Sequence, residues 1–210
     1  MAKYYSALNT RCRSYIITGM ILCIVPGMFF SPEVRAADDD AGIITFTGSV
    51  TGETCKISTS NGSDSSNMTL VMPDVAEKDV ESATIATGGV GRTLFDIDLS
   101  GCASGISTAK ISFSSEEFAN LTDGTLNNDS SINDAAENVN VVLFNNGNSQ
   151  TSQVFVGRAD DTPQVLTLEN GSGVFSFAAA YVPGPQFNAS SNQIVPGKIQ
   201  TSATFNITYY

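Results

Sequence analysis

From Ala41 to the last residue, apolar side chains return at every second position, in short runs broken by clusters of Gly, Asn, Ser and Asp. An extended chain points alternate side chains to opposite faces, so this spacing builds strands with one apolar face, whereas a helix needs a return every 3.6 residues. The pattern predicts an all-β chain. The runs expected as strands are 43–50, 55–59, 68–72, 93–99, 110–114, 139–144, 154–157, 165–168, 174–182 and 202–209. Helical turns are expected only at 75–87 and 116–120. The polar segments 60–66, 127–130, 145–148 and 183–185 read as surface loops. Of these, 145–148 reads as a hairpin turn, because Asn and Gly tolerate the positive φ that tight turns require. Short strands in this number, in a chain of this length, fit a β-sandwich better than a parallel α/β fold.

Residues 1–36 read as a secretory signal peptide. Lys3, Arg11 and Arg13 precede an apolar run over 16–30, and a polar stretch then ends in Val34-Arg35-Ala36. Val34 and Ala36 favour cleavage before Ala37, with the next bond, before Asp38, as the alternative. The apolar core falls short of the ~20 residues of a spanning helix and contains Pro26, which argues against a membrane anchor. Removing 36 of 210 residues leaves 174, enough for one domain with a sizeable core. Lys3, Arg11, Arg13, Arg35 and Glu33 leave with the leader. The remainder carries six basic and 20 acidic residues, a formal charge of −14. Such a charge opposes binding to nucleic acid or anionic lipid. Cys12 and Cys23 also leave, so Cys55 and Cys102 remain in an oxidising compartment and are expected to form one disulfide, free thiols being the alternative.

Catalytic chemistry has little to draw on. The chain has no histidine, which removes Ser-His-Asp and Cys-His arrangements, most zinc sites and the commonest general base. The adjacent acids Glu116 and Glu117, and Asp160 and Asp161, are expected to be solvated loop charges, since neighbours in a strand face opposite ways. The run Asp38-Asp39-Asp40 lies at a chain end that rarely holds a hard cation. Gly88-Gly89-Val90-Gly91 lacks the lysine and helix of a phosphate loop and is expected to be a flexible connection. No enzyme activity, metal or cofactor is expected.

The two ends of the mature chain carry matching patterns. Near the start, Gly42-Ile43-Ile44-Thr45-Phe46-Thr47-Gly48-Ser49-Val50-Thr51-Gly52 alternates like a strand ahead of Cys55. At the end, Ala203, Phe205, Ile207 and Tyr209 alternate up to Tyr210. With Cys102 following the run 95–99 and the alternating segment 174–181, the mature chain resembles the major subunits of chaperone-usher fimbriae of the type 1-like class. The resemblance implies an incomplete immunoglobulin-like β-sandwich with one disulfide, residues 55–210 forming the pilin domain and 37–54 a donor-strand extension. It implies a groove that is filled in turn by a strand of a periplasmic chaperone, paired with the C-terminal strand at Ala203, Phe205, Ile207 and Tyr209, and by the extension of the next subunit. Ile44, Phe46, Val50 and Gly52 then face the groove, and Gly48 sits at a shallow pocket. The implied partners are other copies of the chain, the chaperone and an outer-membrane usher, and the implied place is a fimbria reached through the periplasm of a Gram-negative cell. A tip adhesin of the same system usually has a separate lectin domain before its pilin domain, for which the mature chain is too short; a minor or adaptor subunit is the nearer alternative. A secreted β-sandwich enzyme or carbohydrate-binding protein is opposed by the absence of His and Trp.

Overall fold

The computed structural model describes residues 55–59 and 66–210; the expected leader 1–36, the extension 37–54 and Asp38 to Asp40 lie outside them. Among the described residues, nine strands and one short helix follow in order: β1 (Lys56–Thr59), α1 (Glu77–Ser82), β2 (Val90–Ser100), β3 (Thr108–Ser114), β4 (Leu126–Asn127), β5 (Val139–Asn145), β6 (Gln153–Val154), β7 (Gln164–Thr167), β8 (Gly173–Pro183) and β9 (Thr204–Tyr209). Antiparallel pairing gathers them into two sheets. One has the order β1-β2-β8-β5-β4 with β6 also on β5, and the other the order β7-β3-β9. The chain is all-β, as its periodicity predicts.

The core lies between the sheets. In β2 the alternation of Phe95, Ile97 and Leu99 with Leu94, Asp96 and Asp98 sends one set inward. That set packs with Phe175 and Phe177 of β8 and with Ala109, Ile111 and Phe113 of β3. Phe95 stacks on Phe177 with centroids 5.4 Å apart, and the edge of Phe113 meets Phe177 at 4.9 Å. Such ring pairs add about 0.5 to 1.5 kcal/mol beyond the area they bury. The bond between Cys55 and Cys102 ties the start of β1 to the chain just beyond β2.

The outer face of β5 and β8 is buried as well, which explains why their sequences are almost continuously apolar. Val142, Phe144, Ala178, Ala180 and Val182 form a second cluster covered by Ile85. The connection Gly88 to Gly91 is therefore a close crossing and not a flexible link. A Cβ on Gly89 would lie 2.7 Å from Cβ of Ala180, and Gly89 has φ +69°, a conformation that side chains disfavour. Arg92 follows, with its guanidinium 5.2 Å from the Phe144 ring centroid and Nη2 donating to Asn146 Oδ1 at 3.0 Å.

Several expected elements differ. Residues 68–72 alternate as predicted, Met68, Leu70 and Met72 being half-buried and Thr69 and Val71 exposed, but the segment joins neither sheet among the described residues. Residues 116–120 form a turn, not a helix, and the run 154–157 is a strand only at Gln153–Val154. The two-residue β4 has too short a pattern to be visible in the sequence. The hairpin turn joining β5 to β6 exists, but its positive φ angles fall at Asn148 and Ser149, between bridged Gly147 and Gln150.

One polar side chain sits in the core for a backbone reason. Ser176 of β8 pairs with β2 on one side, but on the other it lies past the end of β5, where Asn146 N donates to its O at 2.9 Å and the fully buried Gln164 of β7 joins it. Gln164 Nε2 donates to Ser176 O at 2.9 Å, while its Oε1 accepts from Ser176 N at 3.2 Å and from Asn148 Nδ2 at 2.9 Å. Gln164→Leu keeps the volume but leaves Ser176 N without its acceptor, while Ser176 O keeps Asn146 N, so it is expected to cost about 1 to 3 kcal/mol. The urea midpoint is expected to fall with an unchanged slope; an unchanged midpoint would remove this role.

Candidate functional site: the open edge of the last strand

Among the described residues, the terminal strand β9 joins its sheet through β3 alone. Residues Ala109 to Ser114 pair in register with Tyr209 back to Thr204. At the end of the ladder, Tyr210 N donates to Thr108 O at 2.9 Å and Thr108 N donates to Tyr210 O at 3.1 Å. Antiparallel ladders alternate such doubly bonded pairs with pairs that share no bond. The bonded pairs are therefore Thr108 with Tyr210, Lys110 with Thr208, Ser112 with Asn206 and Ser114 with Thr204. It follows that Phe205, Ile207 and Tyr209 turn their N–H and C=O groups away from β3, toward an edge that no strand occupies among the described residues.

The same three residues hold their side chains against the core without being covered by it. Phe205 lies 6.5 Å from Phe113, ring to ring, and Phe205, Ile207 and Tyr209 are all half-buried. Burial raises the phenol pKa of Tyr209 above its ordinary value. Ile57 of β1 and Met68, Leu70 and Met72 pack against the same core and are also half-buried. Backbone groups with no strand partner next to apolar side chains that are only partly covered are what a sheet edge needs to accept another strand. Ala203, grouped with this strand by its spacing, stands one residue before β9 and is exposed. Ile44, Phe46, Gly48, Val50 and Gly52 lie outside the described residues.

Contacts that the alternation could not reveal hold the approach to β9 in place. Asn128 Nδ2 donates to Ala136 O and Lys198 O at 2.8 and 2.9 Å, and its Oδ1 accepts from Gln200 N at 2.7 Å. Asn138 Nδ2 donates to Gln193 O at 2.6 Å on the same long connection. The only signal of these anchors is the richness of 127–138 in Asn, which reads equally well as a loop.

The acidic pairs do not converge on a reactive centre. Glu116 and Glu117 are exposed in their turn. Asp160 pairs with Arg158, and that hydrogen bond lowers its pKa. Asp161 corrects the expectation of a solvated charge: burial raises its pKa, Oδ1 accepts from Phe155 N at 2.8 Å, and Oδ2 is buried without a hydrogen-bond partner.

A family model described as fimbrial protein matches residues 44–210. The major fimbrial subunit SMF-1 of Stenotrophomonas maltophilia (strain K279a) is 31% identical over 179 residues, spanning 83% of this chain and 95% of that protein. A major fimbrial subunit of Haemophilus influenzae is 28% identical over 200 residues, spanning 84% and 91%. Among solved structures, the CupB6 tip adhesin of Pseudomonas aeruginosa aligns at 24% identity with a TM-score of 0.43, over 56% of this chain and 30% of that one. The match to the family and the length shared with both subunits have one meaning: the chain belongs to the fimbrial protein family and is a subunit of a cell-surface fimbria.

Proposed function

We propose that this subunit polymerises by lending residues 42–52 of one copy to the open edge of β9 in the next. The observation that carries this reading is the coincidence on β9: Phe205, Ile207 and Tyr209 face the edge with their backbone groups and are the residues whose apolar side chains lie half-covered. A strand laid there gains main-chain hydrogen bonds of about 0.5 to 1.5 kcal/mol each. Its inward residues Ile44, Phe46 and Val50 contribute on the order of 1.5 to 3 kcal/mol each by burial. The row Met68, Leu70 and Met72 supplies further apolar surface on the same core.

Before assembly the same edge needs a temporary occupant, since an exposed strand edge templates aggregation. A periplasmic chaperone supplies it, pairing with β9, and an outer-membrane usher receives the subunit for exchange. Both curated relatives are described as major fimbrial subunits, which favours a shaft role over an adaptor or a tip adhesin. The fibre supports adhesion and has no enzymatic step.

Gly48 tests the register. Between Phe46 and Val50 on the inserted face, glycine leaves room where the groove is shallow, so Gly48→Val is expected to block assembly without unfolding the subunit. Normal fibres from this variant, seen by electron microscopy, would refute the register.

A further inference from the structure

The sheet that carries β9 has a second border, formed by β7. Its register follows from the same alternation of bonded and unbonded pairs. Gly157 N donates to Phe113 O and Leu168 N donates to Ser107 O, each at 2.9 Å. Ala109, Ile111 and Phe113 of β3 therefore turn their backbone groups toward β7, as the bonding of Thr108 to Tyr210 on the other side requires. Their bonded partners in β7 are Leu166 and Gln164. Val165 and Thr167 then turn their backbone groups outward, to a border that no strand occupies among the described residues. Pro163, just before the strand, continues the same alternation. At this border two of three donors are missing or taken. Proline has no N–H. Val165 N donates to Gln150 Oε1 at 2.9 Å, a side chain reaching across from the hairpin between β5 and β6. Val165 is 45% exposed, so water could satisfy its N–H equally well. The bond to Gln150 thus adds little to stability, and its effect is to occupy the donor.

We propose that Gln150 and Pro163 decide which border of this sheet accepts the donated strand, by blunting β7 so that residues 42–52 of another copy seat on β9 alone. This rests on the strand-exchange reading above. A strand laid along β7 meets Thr167 N–H as the one free donor among these positions, whereas β9 offers those of Phe205, Ile207 and Tyr209. Main-chain bonds along an edge are what hold an added strand, so the difference directs it to β9. Each copy has one extension to lend. A copy with two accepting borders would take two, and growth would branch or end in aggregation. With β7 blunted each copy takes one, and the line of subunits stays unbranched.

The test refolds subunits, released from fibres by denaturant, with an excess of a synthetic peptide of residues 42–52. Native mass spectrometry counts the peptides bound, and amide hydrogen exchange locates them. Wild type is expected to bind one, which slows Phe205, Ile207 and Tyr209 and leaves Thr167 fast. Its Val165 amide, held by Gln150, is expected to exchange about tenfold more slowly than Thr167, a result that needs no variant. The Gln150→Leu, Pro163→Ala double variant restores both donors and is expected to bind two peptides, the second slowing Val165 and Thr167. A double variant that folds and still binds one peptide, a wild-type subunit that binds two, or wild-type Val165 exchanging as fast as Thr167 would overturn the proposal alone. If the peptide slows none of Phe205, Ile207 and Tyr209 in wild type, the strand-exchange reading fails, and this proposal with it.

Discussion

Replacing Ile44, Phe46 and Val50 together by Asp is expected to abolish fibre formation. On the strand-exchange proposal the three side chains carry the apolar part of the inserted strand, and losing them removes on the order of 5 to 9 kcal/mol of burial. Three carboxylates placed against apolar side chains add a desolvation penalty. The core built by Phe95, Phe113, Phe175 and Phe177 comes from β2, β3 and β8, so the disulfide-bonded subunit is expected to fold and, on the strand-exchange proposal, to accumulate with a chaperone. In detergent without boiling, wild-type fibres should run as a ladder of oligomers and the triple variant as monomer only. A persistent ladder in the variant would show that the chain polymerises by other contacts.

Loss of the disulfide is the second large effect. The bond closes a loop of 47 residues, for which chain entropy gives roughly 4 kcal/mol of stabilisation, against about 5 to 15 kcal/mol for a whole domain. Its position makes it more than a generic clasp. β1 has four residues at a sheet border, paired among the described residues with β2 alone, from Lys56 opposite Ser100 to Thr59 opposite Ile97. Cys55 is buried at the head of that strand, and Cys102 N donates to Gly171 O at 3.0 Å, in the turn between β7 and β8. Changing both cysteines to Ser frees β1 and uncovers the core beneath Ile57. The urea midpoint is expected to fall by roughly 2 M at a slope near 2 kcal/mol/M, with a matching fall in periplasmic yield. A midpoint within a few tenths of the wild-type value would assign the disulfide a minor role.

Much of the fold is legible in the sequence because burial here is one-sided. β2, β3, β7 and β9 each have one covered face, so their sequences alternate, and period two finds them. The limits have equally physical causes. Residues 68–72 alternate because one side meets the core, but alternation reports burial and not pairing, and this segment joins neither sheet among the described residues. Gln164 breaks the apolar pattern at a fully buried position because it supplies an acceptor to Ser176 N, a need that arises only once β5 ends. Gly89 reads as flexibility until β8 is placed against it. For the candidate site, the spacing of Phe205, Ile207 and Tyr209 shows which side chains share a face, but the open edge depends on which residues bond to β3. That requires the register.

That register supplies the most direct test of strand exchange. In the assembled fibre, amide hydrogen exchange should show Phe205, Ile207 and Tyr209 as slow as Asn206 and Thr208, because an inserted strand bonds the edge that β3 leaves open. Fast exchange at Phe205, Ile207 and Tyr209, with Asn206 and Thr208 protected, would mean that the edge stays empty in the fibre and would contradict the account.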